Sequence, residues 1–267
     1  MATRQIRRET ARPRTARILF FNELNNMQHI QKPSAKVIVI TGAGRGIGAA
    51  LAVAAASEGH YVAVNYRSQS AEADQLVSRL NGGIGIRADV SLAEDAPRLI
   101  NETLAHFGRI DCVINNAGIG EVCPIDRLDL AHFQKTLRAN LTSAFLVSQA
   151  AWPHMKRDGG RLIFMSSGAA RTGGGLSAAY AASKGGVESL MHAYATALRP
   201  HRITANAIAP ALIESRMANA IDSGPTENLP LGRMGRPEEL WPATRMIIET
   251  EYLTGQTIHV DAGRYMT

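Results

Sequence analysis

The chain has 267 residues, 45% of them apolar, and a formal net charge of +6. That length fits one large domain able to bury a substantial core, and no apolar run approaches the ~20 residues needed to span a bilayer, so a soluble protein is expected. The charge is local: residues 1–34 hold Arg4, Arg7, Arg8, Arg12, Arg14, Arg17 and Lys32 against Glu9 and Glu23, and the remainder carries only +1, which gives no support to nucleic-acid binding.

Residues 1–34 admit three readings: a disordered basic arm, an arginine-rich targeting peptide, or translation from an upstream start, with Met27 lying ten residues before Val37. The favoured expectation is a dispensable extension ahead of one domain over residues 35–267. The apolar stretch 18–21 is the part able to pack on that domain.

Residues 36–40, Lys-Val-Ile-Val-Ile, are a short β-branched run that predicts a buried strand. Thr41-Gly-Ala-Gly-Arg-Gly-Ile-Gly48 follows, and then an alanine-rich helix former over 49–57. Strand, glycine-rich turn and helix form the opening unit of a dinucleotide-binding fold: glycine lets the backbone approach a pyrophosphate, and the helix N-terminus offers free N–H groups. Further strands are predicted at 61–66, 83–87, 110–114, 161–166, 203–207 and 257–260. Helices are predicted at 71–80, from a Ser91-x-x-Glu94 capping box through Phe107, at 130–155, at 177–199, and from Pro237. This alternation implies an α/β fold, a doubly wound parallel sheet of about seven strands with helices on both faces. The glycine turn, Asn115-Asn-Ala-Gly118 and Ser166-Ser167 all lie just past strand ends, where such sheets bind ligands.

Tyr180 and Lys184 stand four apart on the helix predicted at 177–199 and therefore share a face. An ammonium beside a phenol favours the phenolate and is expected to lower its pKa from about 10 toward the working range. A nearby serine hydroxyl could hydrogen-bond a carbonyl oxygen and aim it at the phenol. Two cysteines, Cys112 in a strand and Cys123 in a loop, give no disulfide framework and no metal site, which fits a reducing cytoplasm.

Gly42, Gly46 and Gly48 in Gly-x-x-x-Gly-x-Gly spacing, Asn115-Asn-Ala-Gly118, Asn140, Ser167, Tyr180 and Lys184 together resemble the short-chain dehydrogenase/reductase family over residues 36–263. The look is closest to bacterial 3-oxoacyl-(acyl-carrier-protein) reductases and related sugar and alcohol dehydrogenases. The resemblance implies Tyr180 as proton donor and Lys184 as its partner and holder of the nicotinamide ribose. It implies Ser167 as the carbonyl-positioning group, chosen over Ser166 by its thirteen-residue lead on Tyr180, and Asn140 as anchor of a relay water. It also places Gly42, Gly44, Arg45, Gly46, Ile47, Gly48, Asp89, Val90, Asn116, Ala117, Gly118 and Pro210 along the cofactor. Ala211 after Pro210, and Asp261-Ala-Gly263, depart from the family's glycines. Residues 64–67, Val-Asn-Tyr-Arg, lack the carboxylate that usually meets the adenosine ribose, and Arg45 with Arg67 suits a 2′-phosphate, so NADP(H) is expected over NAD(H).

A 3-oxoacyl thioester is the first substrate expectation and a sugar, polyol or cyclic alcohol the second. A non-catalytic dinucleotide sensor on the same fold is the alternative of another class. Lys156, Arg157, Arg199 and Arg202 are candidates for an acyl-carrier-protein landing patch. A homotetramer is expected on the helices 130–155 and 177–199, whose outward faces would leave Val147, Leu190 and Met191 needing cover.

Overall fold

Seven short segments pair into one parallel sheet: β1 Val37–Ile40, β2 Tyr61–Tyr66, β3 Ile84–Arg87, β4 Cys112–Asn115, β5 Gly160–Met165, β6 Ile203–Pro210 and β7 Thr257–Val260. Their order is β3-β2-β1-β4-β5-β6-β7. This computed structural model describes residues 35–68, 71–221 and 224–266. The basic extension and its apolar stretch 18–21 lie outside the described residues. From Lys36 onward the chain clusters as a single compact unit.

The helices are α1 Gly46–Ser57, α2 Ala71–Arg79, α3 Asp95–Phe107, α4 Leu130–Leu137, α5 Ser143–Met155, α6 Ala169–Thr172, α7 Ala178–Ala197 and α8 Trp241–Glu249. Successive strand residues point to opposite faces, and each face buries its own core. Val39, Val113, Leu162 and Phe164 pack with Leu99 of α3, Val147 of α5 and Met191 of α7. Ile38, Ile40, Ile114 and Ile163 pack with Leu51 and Ala55 of α1 and Ile247 of α8. At roughly 1.5–3 kcal/mol for each fully buried large aliphatic side chain, these two layers fix where each strand ends. β1 and β4 lie side by side while their connections run to opposite sides, which opens a crevice beyond their carboxyl ends.

Four details differ from the sequence reading. The helix predicted at 130–155 is helical throughout but carries a π-turn at Arg138–Thr142, a widening that often marks a functional position. The Ser91 capping box does not form: the Ser91 hydroxyl donates to Asp89 Oδ1 at 2.7 Å, and α3 starts only at Asp95. β6 runs three residues further than expected, to Pro210, because β7 pairs along its end. Val147 and Met191 face the sheet and are fully buried, so they need no cover. The outward apolar residue of α5 is Phe145, 43% exposed, with Leu146, Trp152 and Leu190 half-buried near it.

Candidate active site

The glycine turn is stitched in place by three side chains. Thr41 Oγ1 accepts the backbone N–H groups of Asn116 and Ala117, both at 3.0 Å. Asn116 Nδ2 donates to the carbonyls of Thr41 and Gly42 at 2.9 and 3.1 Å. Asn65, fully buried, accepts the Gly42 N–H at 3.1 Å and donates to Ala88 O at 3.0 Å and Ile86 O at 3.3 Å. It thereby binds the ends of β2 and β3 to the turn. A Cβ at Gly42 would lie 2.8 Å from Ala117 Cα, and one at Gly48 would lie 2.5 Å from Asn116 Nδ2. Gly42 and Gly46 also take φ of 62° and 59°, the left-handed region that glycine enters without penalty.

α1 opens at this turn with no side chain capping it and no acidic residue in its first turn. Its leading N–H groups and partial positive charge therefore face a cleft of about 1240 Å³ that runs along the strand ends. Gly44, Arg45, Gly46, Ile47, Arg67, Asp89, Val90, Asn116, Ala117, Gly118 and Pro210 line it together with Ser167, Tyr180 and Lys184. Among the described residues neither Arg45 nor Arg67 has an acidic partner. An uncapped helix end, a turn closed to a Cβ at Gly42 and Gly48, and two guanidinium groups without acidic partners among the described residues fit a dinucleotide phosphate. Asp89 spends its carboxylate on Ser91, as a turn would.

The reactive end of the cleft is built by β5, α6 and α7. Ser177 caps α7 by accepting the Tyr180 N–H at 3.2 Å, which sets Tyr180 and Lys184 one turn apart. The Lys184 ammonium lies 5.7 Å from the centre of the Tyr180 ring and donates to Met165 O at 2.6 Å. Ser167 lines the cleft with Tyr180 and draws the phenol's pKa down against the effect of burial, and it accepts the Ala169 N–H at 3.2 Å. Ser166, the alternative serine, points away and donates to Glu188 Oε1 at 2.7 Å.

The electrostatics run against the expectation drawn from spacing. Burial holds the Tyr180 phenol above its ordinary value, and Ser167 opposes it only in part. Burial also pushes the Lys184 ammonium down to about 8. Desolvation, not mutual attraction, dominates the pair.

Asn140 occupies the π-turn, and its side chain makes three hydrogen bonds. Oδ1 accepts the Ile119 N–H at 2.7 Å, while Nδ2 donates to Ile119 O and to Ser183 Oγ, both at 2.9 Å. The side chain thus ties the loop after β4 to α7. Ala211 has an ordinary φ and needs no glycine, whereas Leu212 and Ala262 take φ of 51° and 56°.

Beyond Tyr180 the cleft becomes apolar: Ala169, Leu176 and Tyr180 form a small cluster onto which Met217 and Ile221 pack. Lys156, Arg157, Arg199 and Arg202 lie before β5 and β6, at the opposite end of the sheet from the cleft. There Arg157 pairs with Asp158, and Arg202 holds the Arg157 carbonyl at 2.8 Å.

Sequence reading missed Asn65 and Glu188. Asn65 sat in plain view where an acidic residue was sought, and Glu188 follows Lys184 by one helical turn.

A glycine cradle on a parallel sheet, with a tyrosine, a lysine and a serine at its far end, defines a nicotinamide-dependent oxidoreductase. The chain belongs to the short-chain dehydrogenase/reductase family. The family model described as enoyl-(acyl carrier protein) reductase matches residues 42–264. The 3-oxoacyl-[acyl-carrier-protein] reductase of Synechocystis is 38% identical over 242 residues, 87% of this chain and 98% of that protein. A hydroxynaphthalene reductase-like protein of Metarhizium guizhouense is 33% identical, over 85% of this chain and 94% of that one. Among solved structures, a short-chain dehydrogenase/reductase from Serratia marcescens is 32% identical with a TM-score of 0.78, covering 85% of this chain and 97% of that one. No helix among the described residues is long and apolar enough to cross a membrane.

Proposed function

We propose that the protein is an NADP(H)-dependent reductase of a carbonyl to a secondary alcohol, with a 3-oxoacyl thioester as the first substrate. The convergence of Ser167, Tyr180 and Lys184 on the cleft that the glycine turn opens into carries this reading. A nicotinamide dinucleotide held with its phosphates at the α1 N-terminus would supply the hydride. Ser167 holds the carbonyl oxygen, and Tyr180 gives its phenolic proton to that oxygen as the hydride arrives at carbon. A phenol kept protonated by burial suits this direction. Lys184 then has two duties: it fixes the end of β5 through Met165 O, and its charge favours the phenolate left behind.

Arg45 and Arg67, which have no acidic partner among the described residues, would pair with the 2′-phosphate. The apolar wall of Leu176, Met217 and Ile221 suits an acyl chain better than a sugar or polyol. A cyclic alcohol or ketone is the second reading, favoured by that same wall and by the distance of the four basic residues from the cleft. Assembly as a homotetramer through the Phe145 face, and a reducing cytoplasmic setting for the free thiols of Cys112 and Cys123, belong to the same proposal.

The test is Tyr180→Phe on a panel of 3-oxoacyl thioesters and cyclic ketones. Nucleotide affinity should stay near wild type while turnover falls at least a hundredfold, about 2.7 kcal/mol of barrier. A variant keeping more than about a tenth of wild-type kcat would remove Tyr180 as the proton donor.

A further inference from the structure

Glu188 is a carboxylate in the protein interior, on α7 one turn beyond Lys184 and only 4% exposed. Two hydrogen bonds and an ion pair satisfy it. Ser166 Oγ donates to Oε1 at 2.7 Å and Arg171 Nε to Oε2 at 3.1 Å, and Arg171 Nη2 lies 3.0 Å from Oε2 as an ion pair. Burying a charge costs several kcal/mol before such partners offset it, and an apolar side chain of similar size would commonly fill the space as stably. Stability therefore gives little reason for a carboxylate here. Direction does, because a charged hydrogen-bonded pair fixes geometry that apolar packing leaves loose.

The residues it fixes bracket the serine of the site. Ser166 immediately precedes Ser167. Arg171 sits on α6, the four-residue helical turn that follows it. Beyond α6 the chain runs through Gly173 and Gly174, at φ of 81° and 65°, and Gly175, so the downstream side offers little restraint. Upstream, Lys184 holds Met165 O. Lys184 and Glu188, successive turns of α7, thus clamp the β5–α6 corner from within the helix that also carries Tyr180.

We propose that Glu188, with Arg171, is a positioning residue that holds Ser167 against Tyr180 by clamping Ser166 and α6 to α7. It touches no substrate and acts only through Ser167. This rests on the reading of Ser167 as the carbonyl-positioning group, and the experiment separates the two.

Glu188→Gln keeps shape and an acceptor for Ser166 but removes the charge that pairs with Arg171. Arg171→Leu breaks the same pair from its half-exposed end but leaves the Glu188 charge buried without a cation, so Tm is measured beside kcat, and Arg171→Lys retains the charge. Each is measured for kcat, KM and NADPH affinity, in the wild-type background and with Ser167→Ala. Glu188→Gln and Arg171→Leu are each expected to lower kcat about tenfold, with nucleotide affinity within about twofold, and Arg171→Lys to recover most of it. The double variant should be no slower than either single one, and in the Ser167→Ala background Glu188→Gln should change kcat less than about twofold. An equal factor in both backgrounds would mean a general structural effect and overturn the proposal. So would a normal kcat in Glu188→Gln alongside a collapsed Ser167→Ala, with the serine's own role intact. A Ser167→Ala enzyme of normal kcat would overturn both readings.

Discussion

Replacing Lys184 by methionine should cost the enzyme its activity and gain it stability. The ammonium is buried and pushed from 10.5 down to about 8 by desolvation alone. Folding with the charge present is therefore penalised by about 3 kcal/mol relative to a neutral lysine, at 1.36 kcal/mol for each unit. The sign follows from proton counts. Between pH 8 and 10.5 the unfolded chain holds the proton more often than the native one, so stability rises with pH across that window. Below about 8 the penalty is present in full. Methionine fills similar space without charge but leaves Met165 O without its 2.6 Å donor, a loss of about 1–2 kcal/mol. The net expectation at pH 7 is a gain of about 1–2 kcal/mol, or a few degrees in Tm for a domain of this size. Thermal and urea unfolding without added nucleotide, at pH 7 and at pH 10.5, would measure it. The variant's advantage should be present at pH 7 and gone, or reversed, at pH 10.5. A variant less stable at pH 7, or an advantage independent of pH, would refute the view that burial dominates this lysine.

Other outcomes can be checked on the same protein. Fluorescence titration should show NADPH binding more tightly than NADH, with Arg67→Asp erasing or reversing the preference; equal affinities would remove the phosphate argument. Ala262→Gly should raise stability by about 0.5–1 kcal/mol in urea, because Ala262 takes φ of 56° where a side chain is strained. Deleting residues 1–26 should leave folding and turnover unchanged while weakening retention on a cation exchanger, and an insoluble or clearly slower product would show that the extension packs on the domain.

Much of this architecture was legible because its signals are local. The run at 36–40, the glycine turn and the four-residue step from Tyr180 to Lys184 each carry their meaning within a few residues. What escaped depends on residues far apart in the chain. Asn65 ties its own strand end to Gly42 and Ala88, and no window of sequence contains all three. Ser91 lies three residues before Glu94, yet Asp89 takes its hydroxyl first. The inward rotation of Val147 and Met191 is set by how α5 and α7 sit on the sheet, which an alternating pattern of apolar residues does not specify. The lysine–tyrosine pair shows the same limit in energetic form: spacing gave proximity, but the degree of burial decided the direction of both pKa shifts.

The riveting of the glycine turn by Thr41, Asn65 and Asn116 has a thermodynamic consequence. Because the loop is shaped by the protein's own hydrogen bonds, its ordering entropy is spent during folding rather than at association. Nucleotides then meet a rigid mould, and differences in their affinity reflect contacts with the mould rather than the work of forming it. If Arg67 meets the 2′-phosphate as proposed, its substitution would report the worth of that one contact. Loosening Asn65 would lower affinity for every nucleotide alike.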